Sequence, residues 1–182
     1  VMAFPATASA LDFVMPMLRS GRISEAVPYL ESLTKSAPAD AAVLYNLGIA
    51  YSELGQYDEA IIRLKRAVQL DPSHAHAWVG IGNAYHRVSK PEQALEAFEK
   101  AVQADPNDGY TRRNLGGILI GFKRIDEAVQ HLRRALDLMP DDPQAIFGLA
   151  TALEQLGTWE ADEEADQLYR RFIQEHPNSP MV

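Results

Sequence analysis

A 34-residue period constrains this chain more than any other feature. Gly48, Gly82 and Gly116 stand 34 residues apart, and so do Ala60, Ala94 and Ala128. Ala67, Ala101 and Ala135 repeat in the same phase, as do Pro38, Pro72, Pro106 and Pro140. Leu64, Phe98 and Leu132 form a fifth series, and Leu47, Ile81 and Leu115 a sixth. Such a coincidence of series is the mark of an array of small units, none of which can bury its apolar surface alone.

Each unit reads as two helices. Leu44, Leu47, Gly48 and Tyr51 fall on one face of a helix beginning near Ala41, by the three-and-four spacing of an amphipathic helix. Gly55 ends it as a C-terminal cap. Ala60, Ile61, Leu64, Ala67 and Val68 repeat the spacing from Asp58 to Leu70, and Asp71-Pro72 stops the second helix. Ser89-Lys90-Pro91-Glu92 reads as a capping box with proline in the first turn. The glycine series marks close approach of the first helix to the second. Ala60, Ala94 and Ala128 supply the matching small side chains, and Leu64, Phe98, Trp78 and Tyr85 fill the space beside the crossing.

The run Tyr45-Asn46-Leu47-Gly48-Ile49-Ala50-Tyr51, then Gly55-Gln56-Tyr57-Asp58-Glu59-Ala60, then Ala67-Val68-Gln69-Leu70-Asp71-Pro72, resembles a tetratricopeptide repeat. The resemblance covers 41–74, 75–108 and 109–142 closely. Degenerate copies at 7–40 and 143–180 make one array of about five repeats within 1–182. Ala165, Tyr169 and Pro177 come three residues late, which predicts a three-residue insertion in a turn at 159–164. The resemblance implies an all-α fold, a right-handed superhelical α-solenoid of antiparallel helix pairs.

The ends depart from the pattern. Pro16 and Pro28 lie inside helices of the first copy and should kink or shorten them. Phe172 replaces the alanine of Ala67, Ala101 and Ala135. With Tyr169 and Ile173 it predicts an apolar end face, open to self-association or to another domain.

Composition excludes several functions. No cysteine is present among the 182 residues, which removes disulfides, thiolate metal sites and a cysteine nucleophile. The net charge of −8 lacks the basic footprint of a general nucleic-acid binder. Residues 143–182 hold seven Asp or Glu against two Arg, and 109–142 alone is mildly basic. Glu160, Asp162, Glu163, Glu164 and Asp166 read as a solvated entry to a helix, without the regular spacing of a calcium loop. His74 and His76 read as solvated turn residues, and His86, His131 and His176 join no ligand cluster. Gly116-Gly117 lacks the lysine and context of a phosphate loop, and no serine sits in a nucleophile elbow. The expectation is therefore a non-enzyme without cofactor or metal. Nothing is long and apolar enough to span a membrane. The expected location is the cytoplasm, with a periplasmic or membrane-tethered one left open.

In proteins this sequence resembles, the first helices line a groove that takes an extended peptide or a partner helix. Carried over, that groove presents Tyr45, Asn46 and Ile49; then His76, Val79, Asn83 and His86; then Tyr110, Arg113 and Asn114; then Gln144, Phe147 and Thr151. Arg113 is the residue expected to meet an acidic group of a partner. Asn46 and Asn114 occupy equivalent positions, and an amide can both donate to and accept from a peptide backbone. Gly80 and Gly148 interrupt that series. The carboxylate clamp that grips heat-shock chaperone tails would fall on Val79, Asn83, Asn114, Gln144 and Gly148. Both asparagines are there and all three cations are missing, so that mode is not expected. The reading is a protein-interaction scaffold. A recognition region of a larger enzyme or secretion complex, and a self-assembling structural protein, are the alternatives.

Overall fold

Apolar faces spaced for helices fold here as pairs. The structure, a computed structural model, describes residues 10–175. Among these residues ten helices form and no strand. They are α1 (Ala10–Arg19), α2 (Ile23–Ser36), α3 (Ala41–Glu53), α4 (Tyr57–Leu70), α5 (Ala75–Arg87), α6 (Pro91–Ala104), α7 (Gly109–Gly121), α8 (Ile125–Leu138), α9 (Pro143–Leu156) and α10 (Trp159–Glu175). The chain divides into two compact units, one ending at Ala104 and the other beginning at Asp105. In the first, α1 to α5 each pack on the helix that follows, and α3 also touches α5. In the second, α7 to α10 pack in the same order, and α7 touches α9. Each unit is thus an all-α solenoid of antiparallel helix pairs.

The glycine series does what the spacing predicts. A Cβ on Gly48 would stand 2.6 Å from Leu64 Cγ, and one on Gly116 2.5 Å from Leu132 Cγ. On Gly82 it would meet the Phe98 ring at 2.9 Å. The large residue of each second helix therefore rests on the bare backbone of the first. Leu64, Phe98 and Leu132 are buried, as are Ala60, Ala94 and Ala128.

The helix ends repeat as faithfully as the core. Gly21, Gly55, Ser89, Lys123 and Gly157 all have positive φ, between 56° and 75°. These five lie one period apart. At Gly55 the cap is complete: its N–H donates to Ser52 O, and Gln56 N–H to Tyr51 O. That pattern satisfies carbonyls the helix leaves unpaired. Ser89 and Lys123 make the same pair of bonds, although a Cβ disfavours this conformation.

The helix starts form a second unforeseen series. Asp40, His74, Asp108 and Asp142 each accept from the first-turn backbone of the helix they precede. His74 is therefore not a solvated turn residue. Its Nδ1 accepts from Ala77 N–H at 3.4 Å, and its ring packs on Tyr45 at 4.6 Å between centroids. A third repeated contact joins unlike residues: Trp78 Nε1 donates to Pro72 O, and Arg112 Nε donates to Pro106 O.

Three expectations for the ends need correction. Pro28 does not shorten α2, which has the same 14 residues as α4, α6 and α8; its ring is exposed, where no neighbour has to be displaced. Pro16 lies within α1 in the same way. The extra residues near 159–164 do not form a turn, because α10 begins at Trp159 and runs for 17 residues. Gly157 and Thr158 make the connection, and Ala161 N–H reaches the Thr158 hydroxyl. The insertion has become almost one more helical turn, with Ala161 buried one turn ahead of Ala165. Phe172 is 1 % exposed and packs edge-on against Phe147 at 5.2 Å. The apolar end face expected from Tyr169, Phe172 and Ile173 thus loses its centre: Tyr169 leans on Phe147, and Ile173 alone is largely exposed. His176 and Pro177 lie outside the described residues.

Candidate functional site

In the first unit, α3 carries three of the expected groove residues to one cavity. Tyr45, Asn46 and Ile49 line a 690 Å³ opening with Met15, Leu18 and Ile23 of the first pair. Arg19 and Glu53 stand at the same opening. The first pair's contribution was missed in the sequence, because α1 is degenerate. A signal existed in Met15, Leu18 and Arg19, which follow one another at helical spacing just before the first positive-φ glycine. Burial raises the Tyr45 hydroxyl above its ordinary range.

The asparagines are partly engaged. Asn46 Nδ2 donates to Ala42 O at 2.8 Å, which leaves its carbonyl oxygen. Asn83 is exposed, with His76 and His86 on the same helix, while Val79 is half-buried. Gly80 interrupts the series for a packing reason: a Cβ there would meet Leu64 Cδ1 at 3.0 Å and Ile49 Cδ1 at 3.3 Å.

In the second unit the expected residues divide differently. Tyr110 is 59 % exposed, and Gln144 and Thr151 are also exposed. Arg113 is turned inward, which corrects its expected role toward a partner. Its NH1 donates to Asp142 Oδ2 at 3.0 Å, and both side chains are less than one-fifth exposed. The guanidinium also holds the Asn114 oxygen and lies over the Tyr110 ring. Asp142 uses its other oxygen to cap α9 at Ala145 N–H. Arg113 is therefore a bracket between α7 and the start of α9. Phe147 is packed by Tyr169 and Phe172. Burial lifts the Tyr169 hydroxyl, Glu154 adds to this, and a hydrogen bond to Thr151 opposes it.

The basic residues of 109–142 are mostly spoken for. Arg124 pairs with Glu127 at 2.6 Å, and Arg133 reaches Glu164 at 2.6 Å. Exposed pairs of this kind contribute little stability. Burial lowers the Arg112 pKa, with Arg134 adding to the effect. Among the described residues no group of three His, Cys, Asp or Glu is placed to hold a metal ion. No described helix is long and apolar enough to cross a membrane.

Models of the tetratricopeptide repeat match residues 18–75 and 47–109, and again 87–145 and 119–182. The chain belongs to the tetratricopeptide repeat family. No curated protein matches its sequence. Several solved structures share its fold. MamA 41-end from Desulfovibrio magneticus RS-1 has a TM-score of 0.81 at 22% identity, over 94% of this chain and 95% of that one. MamA MSR-1 has a TM-score of 0.72 at 29% identity, over 89% of this chain and 95% of that one. YrrB, described as a tetratricopeptide repeat protein with an unusual peptide-binding site, has a TM-score of 0.78 at 18% identity, over 93% and 86% of the two chains. Repeats of this family are protein-interaction scaffolds and generally not catalysts.

Proposed function

We propose that the protein holds a segment of a partner protein on the first-helix wall of its first unit, at the opening lined by Tyr45, Asn46 and Ile49. The observation that carries this is the 690 Å³ cavity, which joins apolar side chains from α1 to α3 with an amide oxygen unpartnered among the described residues and with Arg19 and Glu53. Apolar pockets with a few placed polar groups are the usual form of a binding site. Met15, Leu18 and Ile49 would bury an apolar side chain of the segment. Asn46 Oδ1 would accept a backbone N–H, and Arg19 would meet a carboxylate beside it. Val79 and Asn83 extend the same wall on α5. YrrB, with its peptide-binding site on a shared fold, is consistent with this use. Tyr110, Gln144 and Thr151 are surface positions of the second unit that would serve a second contact.

Selection of peptides on the full chain from a random displayed library tests the reading. Ile49→Asp should weaken binding of the selected peptides at least tenfold, because it puts a charge into the apolar cavity at a cost of several kcal/mol unless paired. Ile62→Asp should leave binding intact, since Ile62 is 55 % exposed on α4 and does not line the cavity. Equal binding by wild type and Ile49→Asp would discard the site.

A further inference from the structure

The first unit carries two clefts built from the same repeat positions. The first is lined by Glu31, Thr34, Lys35, Leu44, Arg63 and Arg66, with Pro38 at its edge, and holds 480 Å³. The second is lined at the positions one period later by Lys65, Val68, Gln69, Trp78, Ala97 and Lys100. Their chemistry differs. In the second, Lys65 lies over the Tyr85 ring and Lys100 over the Trp78 ring, at 5.2 and 4.8 Å. Lys100 also holds Glu96 at 2.6 Å. Its cations already have partners, and Ala97 is buried at its floor.

In the first cleft Arg63 stands where the second has Ala97. Its Nε–H is buried and finds no acceptor among the described residues. Its one ion-pair contact among the described residues is a 3.9 Å approach of the other end of the guanidinium to Glu59. Among the described residues Arg66 donates to the neutral Gln69, and Lys35, in the last turn of α2, forms no ion pair. The single carboxylate in the lining, Glu31, accepts from the Tyr51 hydroxyl at 2.6 Å. Part of this pattern has a plain structural origin. Lys35 in the last turn of α2 complements the helix dipole, and the Arg63 stem covers apolar surface. Neither accounts for a guanidinium whose Nε–H finds no acceptor among the described residues while the side chain as a whole stays 36 % exposed, so that a small turn toward the cleft would bring it to one.

We infer that the cleft between α2 and α4 is an oxyanion site, in which Arg63, Arg66 and Lys35 hold a carboxylate or phosphate group presented by a peptide segment of a partner. A planar guanidinium is matched to such groups, and hydrogen bonds between charged partners are the strong ones. The site is separate from the cavity at Tyr45 and stands whether or not that cavity binds.

Fluorescence anisotropy on the full chain tests this with three labelled peptides: hexaglutamate, hexaglutamine and a phosphoserine peptide of the same charge as hexaglutamate. Hexaglutamate or the phosphoserine peptide should bind and hexaglutamine should not; the tighter of the two anionic peptides identifies the group. Lys35→Gln with Arg66→Gln should weaken that binding by about tenfold or more. Arg63→Met should abolish most of it while leaving the melting temperature equal or higher, because it removes the orphaned N–H. Lys65→Gln with Lys100→Gln, in the neighbouring cleft, should change nothing. Binding of hexaglutamine as tight as that of the better anionic peptide, or no binding of either anionic peptide, overturns the inference. So does binding that survives Arg63→Met, or that is lost only in the Lys65–Lys100 variant.

Discussion

Gly116 and Gly117 are neighbours in α7 with opposite duties. A Cβ on Gly116 would strike Leu132 Cγ at 2.5 Å, while one on Gly117 would meet nothing within 4 Å. Alanine gains about 1 kcal/mol of helix propensity over glycine at either place. At Gly116 that gain is offset by forced repacking, which costs roughly 1–3 kcal/mol. Urea denaturation should therefore find Gly117→Ala more stable than wild type and Gly116→Ala less stable. A stabilised Gly116→Ala would refute the close-packing account. The contact at Gly116 was legible in the sequence because only a residue without a side chain satisfies it, so the residue type reports the geometry. The role of Arg113 was not legible. Its partner Asp142 lies 29 residues away, and nothing in the local pattern distinguishes a buried arginine from an exposed one.

At the scale of the helix, both ends carry their own period. Gly55 marked one helix end in the sequence, and the structure extends its positive φ to Gly21, Ser89, Lys123 and Gly157 in the same phase. A residue with a Cβ in this region costs about 1–2 kcal/mol. Glycine gives back roughly 0.4–1 kcal/mol through the freedom of the unfolded chain. Ser89→Gly should raise the melting temperature by a few degrees, a shift readable by calorimetry; a fall would mean that the serine side chain stabilises the turn in another way. At the start of the helices the signal was present and overlooked. Asp40, Asp108 and Asp142 share one phase with His74, so the register alone named the histidine as a cap. The length of α10 was half-legible. The three-residue shift could be counted, but whether inserted residues loop out or add a turn depends on burial at Ala161, which only packing decides.

At the scale of the molecule, stability in such an array is a sum of local terms between neighbours. A lesion should therefore stay local. In Gly116→Ala, amide exchange measured by mass spectrometry should accelerate in α7, α8 and α9, and remain at the wild-type rate in α2 and α3. Uniform acceleration along the chain would show a single cooperative block instead. The family and the paired-helix fold were readable at this scale because every repeat restates the same packing. The binding residues were readable only in part. Tyr45, Asn46 and Ile49 were found through their place in the repeat, whereas Met15, Leu18 and the cations of the cleft between α2 and α4 depart from the pattern that revealed the others.

The two clefts carry a consequence for engineering. Because the same backbone positions recur, a residue number has an address within the period, and chemistry can be transplanted by adding 34 to it. Lys35, Arg63 and Arg66 map onto Gln69, Ala97 and Lys100. Two changes, Gln69→Lys and Ala97→Arg, would therefore copy the first cleft's three cations into the second. The glycine contacts that space the helices lie elsewhere, so neither change touches them.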